Sequence, residues 1–157
     1  DIIHRNAVRA ILLTAEAEIL LLRIRLRDRA PFWITPGGGI EAGEHPGTAL
    51  ARELREEVGL ETADVGPLLW RRRHTFSVHG KQYCQNEDYY AVHVPRFAPV
   101  MADEAEATVL DRFHWWGLDD LHALTEPVAP RTLATIVAGY LRDGPPAGPL
   151  RLDVEAD

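Results

Sequence analysis

Glu53, Glu56 and Glu57 stand three and four residues apart. On an α-helix those spacings put all three carboxylates on one face. Like charges that close repel one another, and a bare cluster destabilises the helix that carries it. A hard divalent cation held by oxygens would offset the repulsion, and Mg²⁺ usually arrives with the phosphates of a substrate. The plainer alternative is a solvated acidic face, with Arg52 and Glu56, four apart, forming an ordinary salt bridge.

The surrounding residues bound such a helix at both ends. Pro46 fits a first helical position, where proline is tolerated, with His45 as an unusual N-cap. Ala49, Leu50, Leu54 and Val58 recur at helical spacing and form the buried stripe. Gly59 follows as the stop. Upstream, Val8–Thr14 and Ile19–Leu26 read as a hairpin, and Ala30–Gly39, with two prolines and three glycines, as a loop. Downstream, Leu68–Val78 and Gln82–Val94 read as paired strands, Pro95–Thr108 as an acidic loop and Val109–Trp116 as another strand. Arg131–Arg142 carries a second amphipathic pattern. Residues 1–143 are expected to form one domain, with 144–157 a Pro/Gly-rich, mobile C-terminal tail.

The 157 residues suffice for one domain with a core. Net charge is −7, which lacks the basic footprint of a nucleic-acid binder, so no nucleic-acid polymer is expected as partner. A nucleotide remains allowed, because one bound metal inverts local charge. The single cysteine, Cys84, rules out an internal disulfide and fits a reducing, cytoplasmic setting. No apolar run is long enough to span a bilayer, so no membrane association is expected.

The whole segment from Gly38 to Leu60 resembles the Nudix box, Gly-x5-Glu-x7-Arg-Glu-U-x-Glu-Glu-x-Gly-U with U apolar. Gly38, Glu44, Arg52, Glu53, Leu54, Glu56, Glu57, Gly59 and Leu60 occupy its positions. The resemblance implies an α+β fold, a three-layer α/β/α sandwich around a mixed β-sheet. It also implies hydrolysis of a nucleoside diphosphate linked to another group, with Mg²⁺ or Mn²⁺. Glu53, Glu56 and Glu57 would then be metal ligands, with the Gly38 carbonyl as another. Arg52 would orient the carboxylates, and Glu44 would serve structure at the loop-to-helix junction. The general base would be Glu56 or Glu57, or an acid on the later loop, Glu104 or Glu106. A homodimer is compatible with the family. Sensor modules of this fold usually lose box carboxylates, whereas this chain keeps all of them.

The box itself contains nothing that reads a nucleotide. Arg23 could place its guanidinium toward phosphates, and Trp33, read as lying in a loop before the glycine turn, could stack on a base. Arg71-Arg72-Arg73 reads as a solvated strand edge. The markers of ADP-ribose, dinucleoside polyphosphate, NADH and coenzyme A hydrolases of this family are missing. A small nucleotide remains as substrate: a nucleoside triphosphate, oxidised or not, or a nucleotide sugar.

Overall fold

The computed structural model describes residues 1–154, with side chains for all of these except 105–106 and 152–154. The chain runs β1 (Ile2–Leu13), β2 (Glu18–Ile24), β3 (Phe32–Ile34), β4 (Gly37–Gly39), α1 (Pro46–Val58), β5 (Leu68–Val78) and β6 (Lys81–His93). It continues through α2 (Glu104–Ala107), β7 (Leu110–Gly117), α3 (Leu118–Ala123), β8 (Val128–Ala129), α4 (Leu133–Asp143) and β9 (Leu150–Val154). The main path of the sheet is β8-β3-β2-β1-β6-β5-β9, with β4 added to β1 and β7 to β2. The sheet is mixed: β1 and β6 run parallel over their whole length, whereas β5 and β6 form an antiparallel hairpin.

The alternation of β1 and β2 divides the interior in two. Val8, Ala10 and Leu12, with Leu20 and Leu22, pack against Leu50, Leu54 and Val58 of α1. Ile11 and Leu13, with Ile19 and Leu21, pack on the other face against Leu121 of α3 and Leu133 and Val137 of α4. Successive strand residues point to opposite faces, so the runs Ala10–Leu13 and Ile19–Leu22, apolar at every position, must be covered on both sides. The result is the expected three-layer sandwich.

α1 spans Pro46–Val58 with its stripe buried, as the sequence predicts. His45 caps it by accepting from the Gly47 N–H at 3.0 Å. Gly59 ends it in the left-handed region (φ 75°), where a side chain would be strained.

Three expectations are corrected. The segment read as a loop, Ala30–Gly39, holds two short strands, because β2 and β1 each offer it a free edge. The segment read as a tail contributes β9, which pairs in parallel with β5 from Trp70↔Leu150 to His74↔Val154. The Arg71–Arg73 stretch therefore lies inside the sheet, with neighbours on both sides, rather than at a solvated edge. Among the described residues no helix is long and apolar enough to cross a membrane.

Candidate active site

β4 lies against β1, with Gly38 opposite Val8 and Gly37 opposite Arg9, and this brings the glycine turn beneath α1. A Cβ on Gly38 would sit 2.5 Å from the Glu53 carboxyl carbon, so only glycine leaves that carboxylate room. Glu57 is 3% exposed and accepts a 3.4 Å hydrogen bond from the Gly37 N–H. The Glu56 side chain is 44% exposed and faces solvent. The helical spacing thus gives one carboxylate against the turn, one inside and one outside.

Arg52 ties this face to the preceding loop. Its guanidinium donates to both Glu44 oxygens, at 3.0 and 2.9 Å, to the Gly39 carbonyl at 3.0 Å and to Glu53 at 2.9 Å. Glu56 lies 3.5 Å from the same group. Glu44 also accepts from the Glu41 N–H, and these contacts, Arg52 first, hold its carboxyl down at about 2. Burial raises the Glu53 carboxyl above its ordinary value, an effect that Arg52 partly opposes. Among the described residues no three His, Cys, Asp or Glu side chains converge as a metal cage. The donor set nevertheless suits a hard cation. It is all oxygen, it is crowded enough to need positive charge, and the Gly38 position keeps the space beside Glu53 free of a side chain.

The loop before β7 is fastened to α1. The Ala102 and Asp103 N–H groups both donate to the Glu56 carbonyl, at 2.7 and 3.1 Å. Glu104, two residues past Ala102, is thereby carried to the same end of the box, where it is exposed. Glu106 lies in α2, and its side chain falls outside the described residues.

The two substrate candidates chosen from sequence are placed otherwise. Trp33 belongs to β3 and is fully buried; its indole N–H donates to Glu126 at 2.9 Å and its ring meets Trp116 edge-on. It cannot stack on a base. Arg23 is bound twice to Glu126, at 3.1 and 2.6 Å, and to Asp111 at 2.8 Å. Those partners raise the guanidinium pKa and hold the Glu126 carboxyl at about 2, so Arg23 is committed to protein carboxylates.

A cleft of ≈ 360 Å³ opens on the sheet face opposite α1, between the β3 and β5 regions. Phe32 and Phe76 line its walls, and Arg9, Arg72, Gln85 and Glu87 its floor. Glu87 is 3% exposed and Arg72 7%. Glu87 accepts from Arg72 at 2.7 Å and from Arg9 at 3.2 Å. It also accepts from Gln85 at 3.0 Å and from the Tyr89 hydroxyl at 3.3 Å. Burial pushes the Glu87 carboxyl up, but the two guanidiniums outweigh it and leave the pKa below normal. Arg9 joins cleft to box: it donates to the Thr35 carbonyl at 3.1 Å and feels the charge of Glu57. Sequence reasoning passed over Arg9 and Glu87. The signal was there, since both fall in the inward phase of their strands, with Ile11 and Leu13 and with Tyr89 and Ala91.

The comparisons with known proteins agree with this geometry. The chain is 34% identical over 131 residues to the CTP pyrophosphohydrolase of Escherichia coli, covering 82% of this chain and 87% of that one. It is 32% identical over 146 residues to the RNA pyrophosphohydrolase of Rhodospirillum rubrum, covering 86% of each. It is also 40% identical over 102 residues to the octanoyltransferase of Myxococcus xanthus, but spans only 26% of that protein's length. The solution structure of the E. coli ORF135 protein superposes with a TM-score of 0.61 at 30% identity, covering 94% of this chain and 96% of that one. The NUDIX domain model matches residues 3–136, most of the chain, and the protein belongs to the NUDIX family.

Proposed function

We propose that the protein is a metal-dependent pyrophosphohydrolase that cleaves a nucleoside triphosphate to a nucleoside monophosphate and pyrophosphate, with CTP the first substrate to try. The observation that carries this is the complete box, whose Glu53 and Glu57 meet the glycine turn, with Glu56 beside them at the surface, near a cleft walled by two phenylalanines. The relative named CTP pyrophosphohydrolase, similar over most of both chains, supports the choice of nucleotide.

Glu53, Glu56, Glu57 and the Gly38 carbonyl would hold Mg²⁺ or Mn²⁺. Bound there, the ion supplies neutralisation of phosphate charge and a lowered pKa for water. Arg52, near both Glu53 and Glu56, offsets their mutual repulsion. Glu57, buried and tied to the Gly37 N–H, fixes the turn. Glu56, the most exposed of the three, accepts the proton of the attacking water, with Glu104 the alternative base on the loop pinned to Glu56. Water oxygen bonds to phosphorus, the bridging P–O bond breaks, and the pyrophosphate leaves with the electron pair.

A panel of nucleoside triphosphates, an 8-oxopurine triphosphate, nucleotide sugars and ADP-ribose, with and without Mg²⁺, tests the reading by product identity. Metal-dependent release of a monophosphate from CTP or another triphosphate is expected; no turnover on any member overturns it. Tight nucleotide binding with no turnover would instead indicate a silent sensor. A second reading, action on the 5′ end of an RNA, draws on the Rhodospirillum rubrum relative and on a surface pocket holding Arg71, Arg73 and Arg151 on the α1 side of the sheet. A 5′-triphosphorylated oligoribonucleotide in the same panel separates the two.

A further inference from the structure

The floor of the cleft carries one charged group with a buried donor that its surroundings leave unmet. Glu87, in contrast, is saturated. It accepts from Arg9, Arg72, Gln85 and Tyr89, as many donors as an ionised carboxylate has lone-pair sites. It therefore has nothing to offer a ligand. Arg72 gives Glu87 a single N–H, from Nη1, and its buried Nε has no protein partner among the described residues. A guanidinium has five N–H donors in a rigid planar fork, and a buried donor without a partner is costly. Arg72 is more than nine-tenths buried and lines the cleft, and with Nε closed off the donors left on Nη1 and Nη2 are those a ligand seated there can meet.

What such a ligand offers follows from the donors and the walls. The fork is matched by two adjacent acceptors in one plane. A phosphate would supply acceptors, but Phe32 and Phe76 on the walls favour a flat ring. Two adjacent acceptors on a flat ring occur at the O2/N3 edge of cytosine and the O6/N7 edge of guanine. Uracil interposes an N–H between its carbonyls, and adenine places its amino group beside N1 and N7 and leaves N3 as a single acceptor. We propose that Arg72 is a specificity-determining residue that reads a nucleobase through a pair of adjacent acceptors, selecting cytosine or guanine nucleotides over uracil and adenine ones. Glu87 acts through Arg72, holding the fork in place. This rests on the nucleotide reading above.

The test is binding, so that it stands apart from turnover. CMP, GMP, UMP and AMP are titrated calorimetrically into the protein and its Arg72→Lys variant, which keeps the cation beside Glu87 but loses the planar fork. The protein should bind CMP or GMP about tenfold or more tighter than UMP and AMP, the discrimination of one good bidentate pair. Preference for CMP alone marks cytosine, and for GMP alone guanine. In R72K the ratio should fall toward one while UMP binding is unchanged. Equal affinity for all four in the unaltered protein, or an unchanged ratio in R72K, overturns the proposal. So does an equal loss of inorganic pyrophosphate binding in R72K, which would make Arg72 a phosphate ligand. Should R72K fail to fold, the double change Arg72→Gln with Glu87→Gln removes both charges together and must show the same loss of ratio. Turnover on the substrate panel without base preference would sink this inference alone; no turnover and no nucleotide binding would sink the function as well.

Discussion

Two arginine–glutamate clusters flank the glycine turn, and they are built in opposite ways. On α1, Arg52 is one cation among Glu44, Glu53 and Glu56, at the surface and part-buried, with carboxylates in excess. Across the sheet, Glu87 is one anion between Arg9 and Arg72, buried, with cations in excess. The first arrangement lacks positive charge and is open to receive it; the second lacks acceptors and is open to receive those. Arg9 stands between them, bonded to Glu87 and within reach of the charge of Glu57. A nucleotide has polyphosphate that would bring a cation at one end and a base rich in acceptors at the other. The contrast between the clusters is what such a molecule would need.

The sharpest way to break the contrast is to neutralise one carboxylate on each side. Glu56→Gln should lower turnover by about 10²–10⁴-fold, the usual worth of a general base, with the thermal midpoint unchanged. A variant with full turnover would remove Glu56 from the chemistry. Glu87→Ala should do the reverse in kind, destabilising the fold by about 3–5 kcal/mol, because it strands the buried Arg72 and the part-buried Arg9; urea denaturation measures it. Gly38→Ala should come next. Its Cβ must displace the Glu53 carboxylate, so activity should fall while circular dichroism stays that of the parent. The smallest effect is expected from Arg52→Ala on stability. Its partners are partly solvated, and such pairs contribute at most about 1 kcal/mol each, although turnover should still fall.

Acid titration sharpens the same comparison. The Glu44 carboxyl is lowered from 4.5 to about 2 by Arg52 and the Glu41 N–H. Its folded-state pKa lies below the unfolded value, so its contribution to stability is fully present above about 4.5. That contribution is lost as pH falls toward 2. Glu44→Gln should flatten the pH dependence of the thermal midpoint in that window, and an unchanged profile would show the pair to be energetically idle.

How much of this could be read in advance depended on whether the determinants were local. α1 was legible in full, because Pro46, the apolar stripe and Gly59 act within the helix itself. The three carboxylates followed from spacing alone. Trp33 and Arg23 were misread because their partner, Glu126, is supplied by a distant part of the chain. Arg72 was misread because β9 and β6 flank it only after the sheet assembles. Glu87 could have been found, since a charge in the inward phase of a strand is the unusual observation, more so than any charge on an outward one.

The pairing of β1 with β6 has a consequence for how the molecule comes into being. Ile2 lies beside Gln82 and Leu13 beside His93, so β1 finds its central neighbour only after the long intervening stretch up to β6 has been made. Until then β1 has its hairpin with β2, the short β4 and one face of α1 to shield it, while its β6 edge stays open. Long-range parallel pairing closes slowly and rewards the chain late. Synthesis rate and chaperone supply, more than the final stability, should therefore govern how much of this protein reaches its native form.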